Sequence, residues 1–271
     1  MASNSPFRGL GVIPNLFTLL NLFFGCLAIV FATQAGLAPM YGGNGMPITD
    51  DSGNPFINIP EKIWMASIFI FAASIIDFLD GFVARLFKAG SELGKQLDSL
   101  ADVVSFGVAP SIIVYQFLRL CYAQQEDGLE ISTVFLLPAF ILPCAGAYRL
   151  ARFNIDPQQS DEFKGLPVPS AGMVIASFPL VYWFADEAWT LNLLLSKWFW
   201  YILIIVLSWL MVSRLPLMSL KFKDYSFRNN IPKWVLAAVA IVFIMLLKWL
   251  AIPAIIAAYI LISLAFKNRK A

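Results

Sequence analysis

The sequence predicts an all-α membrane protein, a bundle of about eight transmembrane helices with little chain outside the bilayer. Of its 271 residues, 59% are hydrophobic and 13% are charged, which excludes an ordinary water-soluble domain. The mean hydropathy is +0.75, and apolar runs of about 20 residues, enough to cross a hydrocarbon core, recur along the chain. Because backbone polar groups find no water inside a bilayer, such runs form helices.

The apolar runs place the predicted helices in order along the chain. The last two are separated only by Lys248, so they form either a tight hairpin or one broken segment. The eight predicted spans are 14–35, 63–87, 94–120, 132–153, 170–186, 195–215, 233–248 and 249–266.

Lysine and arginine are distributed unequally between the two sides of this bundle. If both termini and the alternate loops share one side, that side holds all of the 19 lysines and arginines except Lys62, Arg119, Lys197 and Lys248. Because positively charged loops stay in the cytoplasm, both termini are predicted to be cytoplasmic, with the protein in the cytoplasmic (inner) membrane. The net charge of only +2 gives no indication of nucleic-acid binding, and the apolar composition predicts membrane lipids as partners.

Four aspartates lie within two of the predicted membrane helices. Asp77 and Asp80 are three residues apart and Asp98 and Asp102 are four apart, so each pair lies on one face of its helix. A charged side chain at the bilayer centre costs roughly 2.5–3.5 kcal/mol on insertion scales, and such residues are usually functional. The segment 88–94 is predicted to be a turn that brings the two acidic faces together.

The ligand chemistry of these aspartates favours a divalent cation. The sequence contains no histidine, and carboxylate oxygens favour hard ions such as Mg²⁺ or Mn²⁺. We therefore predict a metal site formed by the four aspartates. Two alternatives stay open on the residues alone, a cation-transport relay and a buried salt-bridge network with Arg85, Arg149 and Arg152.

The aspartates belong to a longer pattern, DxxDGxxAR, eight residues, then GxxxDxxxD, which the sequence matches at every fixed position. This pattern resembles the signature of the CDP-alcohol phosphatidyltransferase family, membrane enzymes that transfer a phosphatidyl or similar group from a CDP-linked donor to an alcohol and release CMP. The resemblance implies that Asp77, Asp80 and Asp98 bind metal. It also implies that Asp102 lies near the metals and is the catalytic base that deprotonates the acceptor hydroxyl.

The resemblance extends from the N-terminus to about residue 225. It implies that residues 1–225 form the membrane domain of the family and that residues 226–271 form a C-terminal transmembrane hairpin with a basic tail. Many members of the family are homodimers, so a homodimer is the oligomeric state that the resemblance implies.

Residues around the signature are expected, by the same resemblance, to bind the donor CDP-diacylglycerol. Gly94 would allow close approach at the turn, while the residues alone leave helix packing open for the small side chains. Hydrogen bonding between helices is the alternative for the first helix, and a proline-stiffened connector is the alternative for the loop at 164–169. The donor-binding set is Asn21, Asp80, Gly81, Ala84, Arg85, Gly94 and Lys164.

Other stretches resemble one branch of the family, in which the acceptor alcohol is L-serine. By this resemblance Arg149 and Arg152 hold the serine carboxylate and Asn154 lies beside them, although topology and the helix dipole explain the same arginines. Glycerol 3-phosphate or an inositol phosphate is the alternative acceptor. The matching stretches are 13–25, 99–110, 148–154, 163–169 and 210–213.

Overall fold

The regular structure is almost entirely helical, and the predicted all-α membrane bundle is confirmed. The computed structural model describes residues 12–34, 38–43, 45–49, 53, 56–58, 62–86, 91–125, 131–155, 163–184, 187–218 and 230–266. Within these ranges, the helical stretches that are long and apolar enough to cross a membrane are Pro14–Thr33, Ile63–Leu86, Glu92–Ala123 and Ile231–Phe266.

Each of the eight predicted spans coincides with a helix or a broken pair of helices. The sixth predicted span, 195–215, coincides with α8, and α7 precedes it at a bend of 70°. In the described ranges the helices are α1 (Val12–Thr33), α2 (Ile63–Leu86), α3 (Glu92–Asp102), α4 (Ala109–Ala123), α5 (Ile141–Ile155), α6 (Val168–Phe184), α7 (Ala188–Leu194), α8 (Lys197–Val212), α9 (Ile231–Leu247) and α10 (Ala251–Phe266).

A π-helical segment, Val103–Val108, joins α3 to α4 without a break. Its wider turn carries one extra residue relative to an α-helix. The helix α6 packs directly on this segment, since a Cβ on Gly172 would lie 2.9 Å from the carbonyl oxygen of Phe106. The π-helical segment therefore lies at the centre of the bundle, where α1, α5 and α6 contact it.

The core around this segment is built from large side chains of α4, α6 and α8. The buried rings of Phe117 and Trp200 stack with centroids 4.7 Å apart. Phe178 meets Trp200 edge-on at 5.5 Å. Since lipid tails are as apolar as these side chains, close packing rather than exclusion from water holds the helices together.

The last two helices form a hairpin, which is one of the two arrangements that the sequence left open. Lys248, between α9 and α10, has a positive φ of 50°. Leu236 of α9 and Tyr259 of α10 pack in one cluster with Leu217, although about 34 Å would separate them on one straight helix at 1.5 Å per residue. The chain therefore folds back at Lys248.

In the described part of the chain, two short antiparallel strand pairs connect segments between helices. In the first, β1 (Ala38–Pro39) pairs with β2 (Ile57–Asn58) between α1 and α2. In the second, β3 (Phe163–Lys164) pairs with β4 (Pro216–Leu217). The second ladder fastens the segment before α6 to the segment after α8.

Candidate active site

Three carboxylates from two helices meet at one point. Asp77 comes from α2, and Asp98 and Asp102 come from α3 one turn apart; one oxygen from each lies within 4.8 Å of the others. Both helices pack against α1, which fixes the distance between them. The predicted convergence of the two acidic faces is therefore observed for these three residues.

The first helix supplies polar partners for the acidic groups. The amide of Asn21, which is fully buried, donates to Oδ1 of Asp102 at 3.4 Å. One turn away, the hydroxyl of Thr18 donates to Oδ2 of Asp80. The backbone carbonyl of Asn21 accepts a hydrogen bond of 3.0 Å from Ser105 in the π-helical segment. These bonds connect α1 to both acidic helices.

Asp80 is not one of the three carboxylates that meet within 4.8 Å, although its charge acts on Asp77 and Asp98. It is only 7% exposed, and its carboxylate accepts the Thr18 hydrogen bond described above. The geometric cluster consists of Asp77, Asp98 and Asp102. A metal-binding role for Asp80 stays a prediction.

The start of α3 differs from the prediction. Ser91 caps the helix, since its hydroxyl accepts a hydrogen bond of 2.9 Å from the backbone N–H of Gly94. Gly94 therefore lies in the first turn of α3, and the expectation that it belongs to the inter-helix turn was wrong because the Ser91 cap begins the helix earlier. Residues 87–90 of that turn lie outside the described residues. Close approach at Gly94 does occur, since a Cβ there would lie 3.1 Å from Oδ1 of Asn15 on α1.

Gly81, near the end of α2, faces open space. Gly81 follows Asp77 by four residues and so lies on the same side of the helix. A Cβ on Gly81 would meet no atom within 4 Å, so it makes no close contact with another helix among the described residues. Ala84 is partly exposed and Arg85 exposed in the last turn. The open space beside Asp77 is consistent with room for a ligand, and donor binding by these three residues stays a prediction.

The residues predicted to bind the acceptor lie at the end of α5, in different environments. Nε of Arg149 is buried without a hydrogen-bond partner, and Arg149 lies close enough to Asp102 to interact with it electrostatically. Arg152 donates to the carbonyl of Val212 at 3.1 Å. The side-chain amide of Asn154 donates to Ser99 at 2.8 Å. Arg149 is thus within electrostatic range of Asp102, whereas Arg152 and Asn154 tie α5 to α8 and α3.

Lys164 lies in the second ladder, opposite Pro216. The next residue, Gly165, has φ +76°, and a Cβ there would lie 2.7 Å from the carbonyl oxygen of Ser213. Its backbone N–H donates to the carbonyl of Leu215 at 2.8 Å. The segment that carries Lys164 is therefore fixed against the end of α8, and binding of the donor by Lys164 stays a prediction.

The chemistry of the three clustered groups suits a divalent cation. All are oxygen donors, they come from a chain without histidine, and they share a small volume. Three close carboxylates repel one another, so a cation between them stabilises the arrangement. Hard ions prefer such an oxygen set.

The fold and the carboxylate cluster define a multi-pass membrane protein with a candidate divalent-cation site. The family model for CDP-alcohol phosphatidyltransferase matches residues 11–207. This range contains all four aspartates and covers well over half of the chain. The chain belongs to the CDP-alcohol phosphatidyltransferase family, whose members generally depend on divalent metals.

Curated relatives bear the name CDP-diacylglycerol–serine O-phosphatidyltransferase. The relative from Helicobacter pylori strain J99 is 35% identical over 172 residues, 63% of this chain and 58% of the relative. The Bacillus subtilis relative is 36% identical over 122 residues, 45% of this chain and 64% of the relative. The Mycobacterium tuberculosis relative is 28% identical over 261 residues, 93% of this chain and 73% of the relative. The chain thus spans just under three fifths of the Helicobacter relative.

Proposed function

We propose that this protein transfers the phosphatidyl group of CDP-diacylglycerol to the hydroxyl of L-serine, giving phosphatidylserine and CMP. The observation that carries the proposal is the convergence of Asp77, Asp98 and Asp102 within 4.8 Å in a member of this family. Relatives from Helicobacter, Bacillus and Mycobacterium named for the serine reaction support serine as the acceptor.

The aspartates hold the divalent cation, Mg²⁺ or Mn²⁺. Asp77, Asp80 and Asp98 are its proposed ligands, with Asp102 beside them. When bound, such a cation neutralises diphosphate charge and stabilises the leaving CMP. Thr18 keeps the Asp80 carboxylate in place through its hydrogen bond.

Asp102 acts as the general base. It takes the proton from the serine hydroxyl while that oxygen forms a bond to the lipid-attached phosphorus and the bond from phosphorus to CMP breaks. The attack is direct, without a covalent enzyme intermediate. Asn21 orients the base, because its amide donates to Oδ1 of Asp102. A carboxylate held in this way presents its other oxygen to the acceptor.

The acceptor is held by its carboxylate. Arg149 interacts electrostatically with Asp102, and its Nε is buried without a hydrogen-bond partner, so it offers a donor to an anionic group. A guanidinium binds a carboxylate through two parallel hydrogen bonds. Arg152 and Asn154, on the same helix end, complete the proposed acceptor pocket.

The donor lies along the open side of α2. Space beside Gly81 receives the nucleotide, and the cationic side chains attract its phosphates. The glycine at position 94 lets α3 approach α1 at the edge of this pocket. The donor-binding set is Asn21, Asp80, Gly81, Ala84, Arg85, Gly94 and Lys164.

The site faces the cytoplasm, where the nucleotide is soluble. The positive-inside distribution of lysine and arginine supports an inner-membrane protein with both termini cytoplasmic. Residues 1–225 form the catalytic domain and residues 226–271 the C-terminal hairpin and basic tail. We further propose that the protein is a homodimer.

The decisive experiment measures CMP release from CDP-diacylglycerol by the purified full chain. L-serine, glycerol 3-phosphate and an inositol phosphate are supplied separately, with Mg²⁺, with Mn²⁺ and with EDTA. We expect release only with serine and a divalent cation. Release with a phosphorylated acceptor instead would overturn the serine assignment, and activity that persists in EDTA would overturn the metal site.

A matched pair of variants shows whether the carboxylate cluster is responsible. Asp98→Asn removes one of the clustered groups, and we expect it to lose CMP release. Glu187→Gln removes an exposed carboxylate before α7 and is expected to keep wild-type activity. Equal losses in both variants would contradict a specific role for the cluster.

A further inference from the structure

The continuous helix through α3 and the π-helical segment holds Asn21 of α1 at two points. The side-chain amide of Asn21 donates to Oδ1 of Asp102 at 3.4 Å. The backbone carbonyl of the same residue accepts a hydrogen bond of 3.0 Å from the hydroxyl of Ser105. Asp102 is the last residue of α3, and Ser105 lies three residues later in the π-helical segment. One helix therefore binds both the side chain and the backbone of Asn21.

The two helices approach closely at this point. Asn21 and Ser105 are both fully buried. Gly25 lies one turn after Asn21 on α1, and a Cβ there would overlap the Ser105 hydroxyl and lie 2.8 Å from the Cα of Ser105. Because any larger residue at position 25 would push the helices apart, this glycine allows Ser105 to reach the carbonyl of Asn21.

The Asn21 carbonyl can accept the Ser105 hydrogen bond without leaving its own helix. A carbonyl oxygen has two lone pairs, and within an α-helix one of them accepts from the N–H four residues later, which here belongs to Gly25. Ser105 uses the second. If α1 rotated or slid, the Ser105 hydroxyl would be buried without a partner, which is unfavourable. The bond therefore restrains the rotation and depth of α1 against the long helix.

We infer that Ser105 is a positioning residue that holds α1 where the Asn21 amide reaches the Asp102 carboxylate. The inference rests on the proposed function, in which Asp102 is the general base and Asn21 orients it. In this role Ser105 acts through Asn21 and not by contact with a substrate. Wide π-helical turns are frequent at functional sites, and here such a turn carries the side chain that fixes the partner of the base.

A matched pair of serine variants in the full chain tests this role. Ser105→Ala removes the bond to Asn21, whereas Ser177→Ala removes an equally buried hydroxyl that donates at 2.7 Å to Val174 of its own helix, α6. We expect Ser105→Ala to lower kcat about fivefold, because a hydrogen bond that keeps the base oriented is lost, with both KM values nearly unchanged. Ser177→Ala is expected to keep the wild-type kcat. Equal losses of kcat would show a general effect of removing a buried hydroxyl and would overturn the role of Ser105.

A double-mutant cycle shows whether Ser105 acts through Asn21. Asn21→Ala removes the amide that reaches Asp102 but keeps the backbone carbonyl and the base, so turnover should be reduced and still measurable. In this background Ser105→Ala should lower kcat by less than about twofold, because the amide that it positions is gone. Additive effects would contradict action through Asn21. Complete loss of turnover in Asn21→Ala alone would show that Asn21 does more than orient the base, and it would also overturn the inference.

Failure of this inference is distinguishable from failure of the proposed function. The kcat values are measured with L-serine and, if serine gives no CMP, with the acceptor that does. If the wild type releases no CMP with serine or with either phosphorylated acceptor, the proposed phosphatidyl transfer fails. If the wild type is active and Ser105→Ala has the wild-type kcat, only the role of Ser105 fails.

Discussion

The segments α3, Val103–Val108 and α4 form one continuous helix. Its two ends differ in the charge and hydrogen bonding of the polar side chains around them. Asp102 and Arg119 lie about 26 Å apart along this helix at 1.5 Å per residue. Around Asp102, three carboxylates crowd together, and Oδ1 of Asn21 and Nε of Arg149 are buried without hydrogen-bond partners. This end holds polar atoms that the protein itself does not satisfy.

At the far end, polar side chains are largely paired. Arg119 donates to Gln116, and Gln116 donates to the carbonyl of Ala32, each at 2.9 Å. The hydroxyls of Tyr122 and Tyr201 lie 2.9 Å apart. Ser67 and Trp183 are exceptions, since the hydroxyl of Ser67 and the indole N–H of Trp183 are buried without partners. What distinguishes the Asp102 end is charge, because three carboxylates converge there near an unsatisfied amide oxygen and an unsatisfied guanidinium nitrogen. Since buried polar groups are normally satisfied, this charged end is suited to a ligand.

The largest expected effect comes from removing the proposed base. Asp102→Asn keeps the shape of the side chain and its position next to Asn21. The amide, however, cannot take the proton from the serine hydroxyl. We expect CMP turnover to fall by about 10²–10⁴-fold, while binding of CDP-diacylglycerol, measured by equilibrium dialysis, is retained. Turnover within a few-fold of wild type would assign the base to another group.

Thermal unfolding with and without divalent cations tests the carboxylate cluster directly. At a cation concentration of about 100 times its Kd, binding to the folded protein should stabilise it by about 2.7 kcal/mol. Asp77→Asn should lose most of this response. In EDTA the same variant should be more stable than wild type, because one of three mutually repelling carboxylates is gone. A full cation response in the variant would contradict metal binding at this cluster.

Two glycines with a positive φ allow the effect of close packing on backbone strain to be measured. Gly165 lies before α6, and Gly45 lies in the loop between α1 and α2. Gly165→Ala places a methyl group 2.7 Å from the carbonyl of Ser213 at a positive φ, and we expect a loss of about 3 kcal/mol of stability. Gly45→Ala has a positive φ too, but its Cβ would lie in open space, so the loss should be about 1 kcal/mol. Both are measured by thermal unfolding in the same detergent. Similar losses would mean that contact with α8 does not constrain the segment at Gly165.

The smallest effect on activity is expected from a substitution at the Arg119 end of the long helix, where most polar side chains are hydrogen-bonded. Gln116→Leu removes the donor to Ala32 and the acceptor for Arg119, and we expect about 1–3 kcal/mol of destabilisation. Turnover per folded molecule should be unchanged, because this region lies far from the carboxylates. A selective loss of turnover without loss of stability would show that the far end contributes to catalysis.

Much of the fold could be predicted because apolar run length determines where helices cross a bilayer. The spacing of Asp77, Asp98 and Asp102 also placed them correctly on facing sides of two helices. Asn21 of the first helix was assigned to donor binding by the resemblance, with hydrogen bonding between helices as the open alternative. The bonds of Thr18 and Asn21 to Asp80 and Asp102 depend on helix rotation, which apolar periodicity does not fix in a helix surrounded by lipid and protein.

Other features had no signal in the sequence. The π-helical segment has an ordinary apolar composition, and nothing in 103–108 predicts a wider turn. Tyr259 and Ser263 are the polar residues of the otherwise apolar α10, and their contacts with Met218 depend on the way the hairpin folds back. The bend between α7 and α8 had no signal either, because α7 lies between the fifth and sixth predicted spans.

The wide turn of Val103–Val108 sets the angular phase between the two halves of the long helix. Each residue of an α-helix advances the chain by about 100° around the axis, and the π-helical segment takes up one extra residue without passing that rotation on to α4. If the same residues wound as a regular α-helix, α4 would rotate by roughly 100° relative to Asp98 and Asp102. Gln116 would then turn away from Ala32, while the carboxylates kept their place against α1. The wide turn thus lets one continuous helix present Gln116 and the acidic groups to their separate partners.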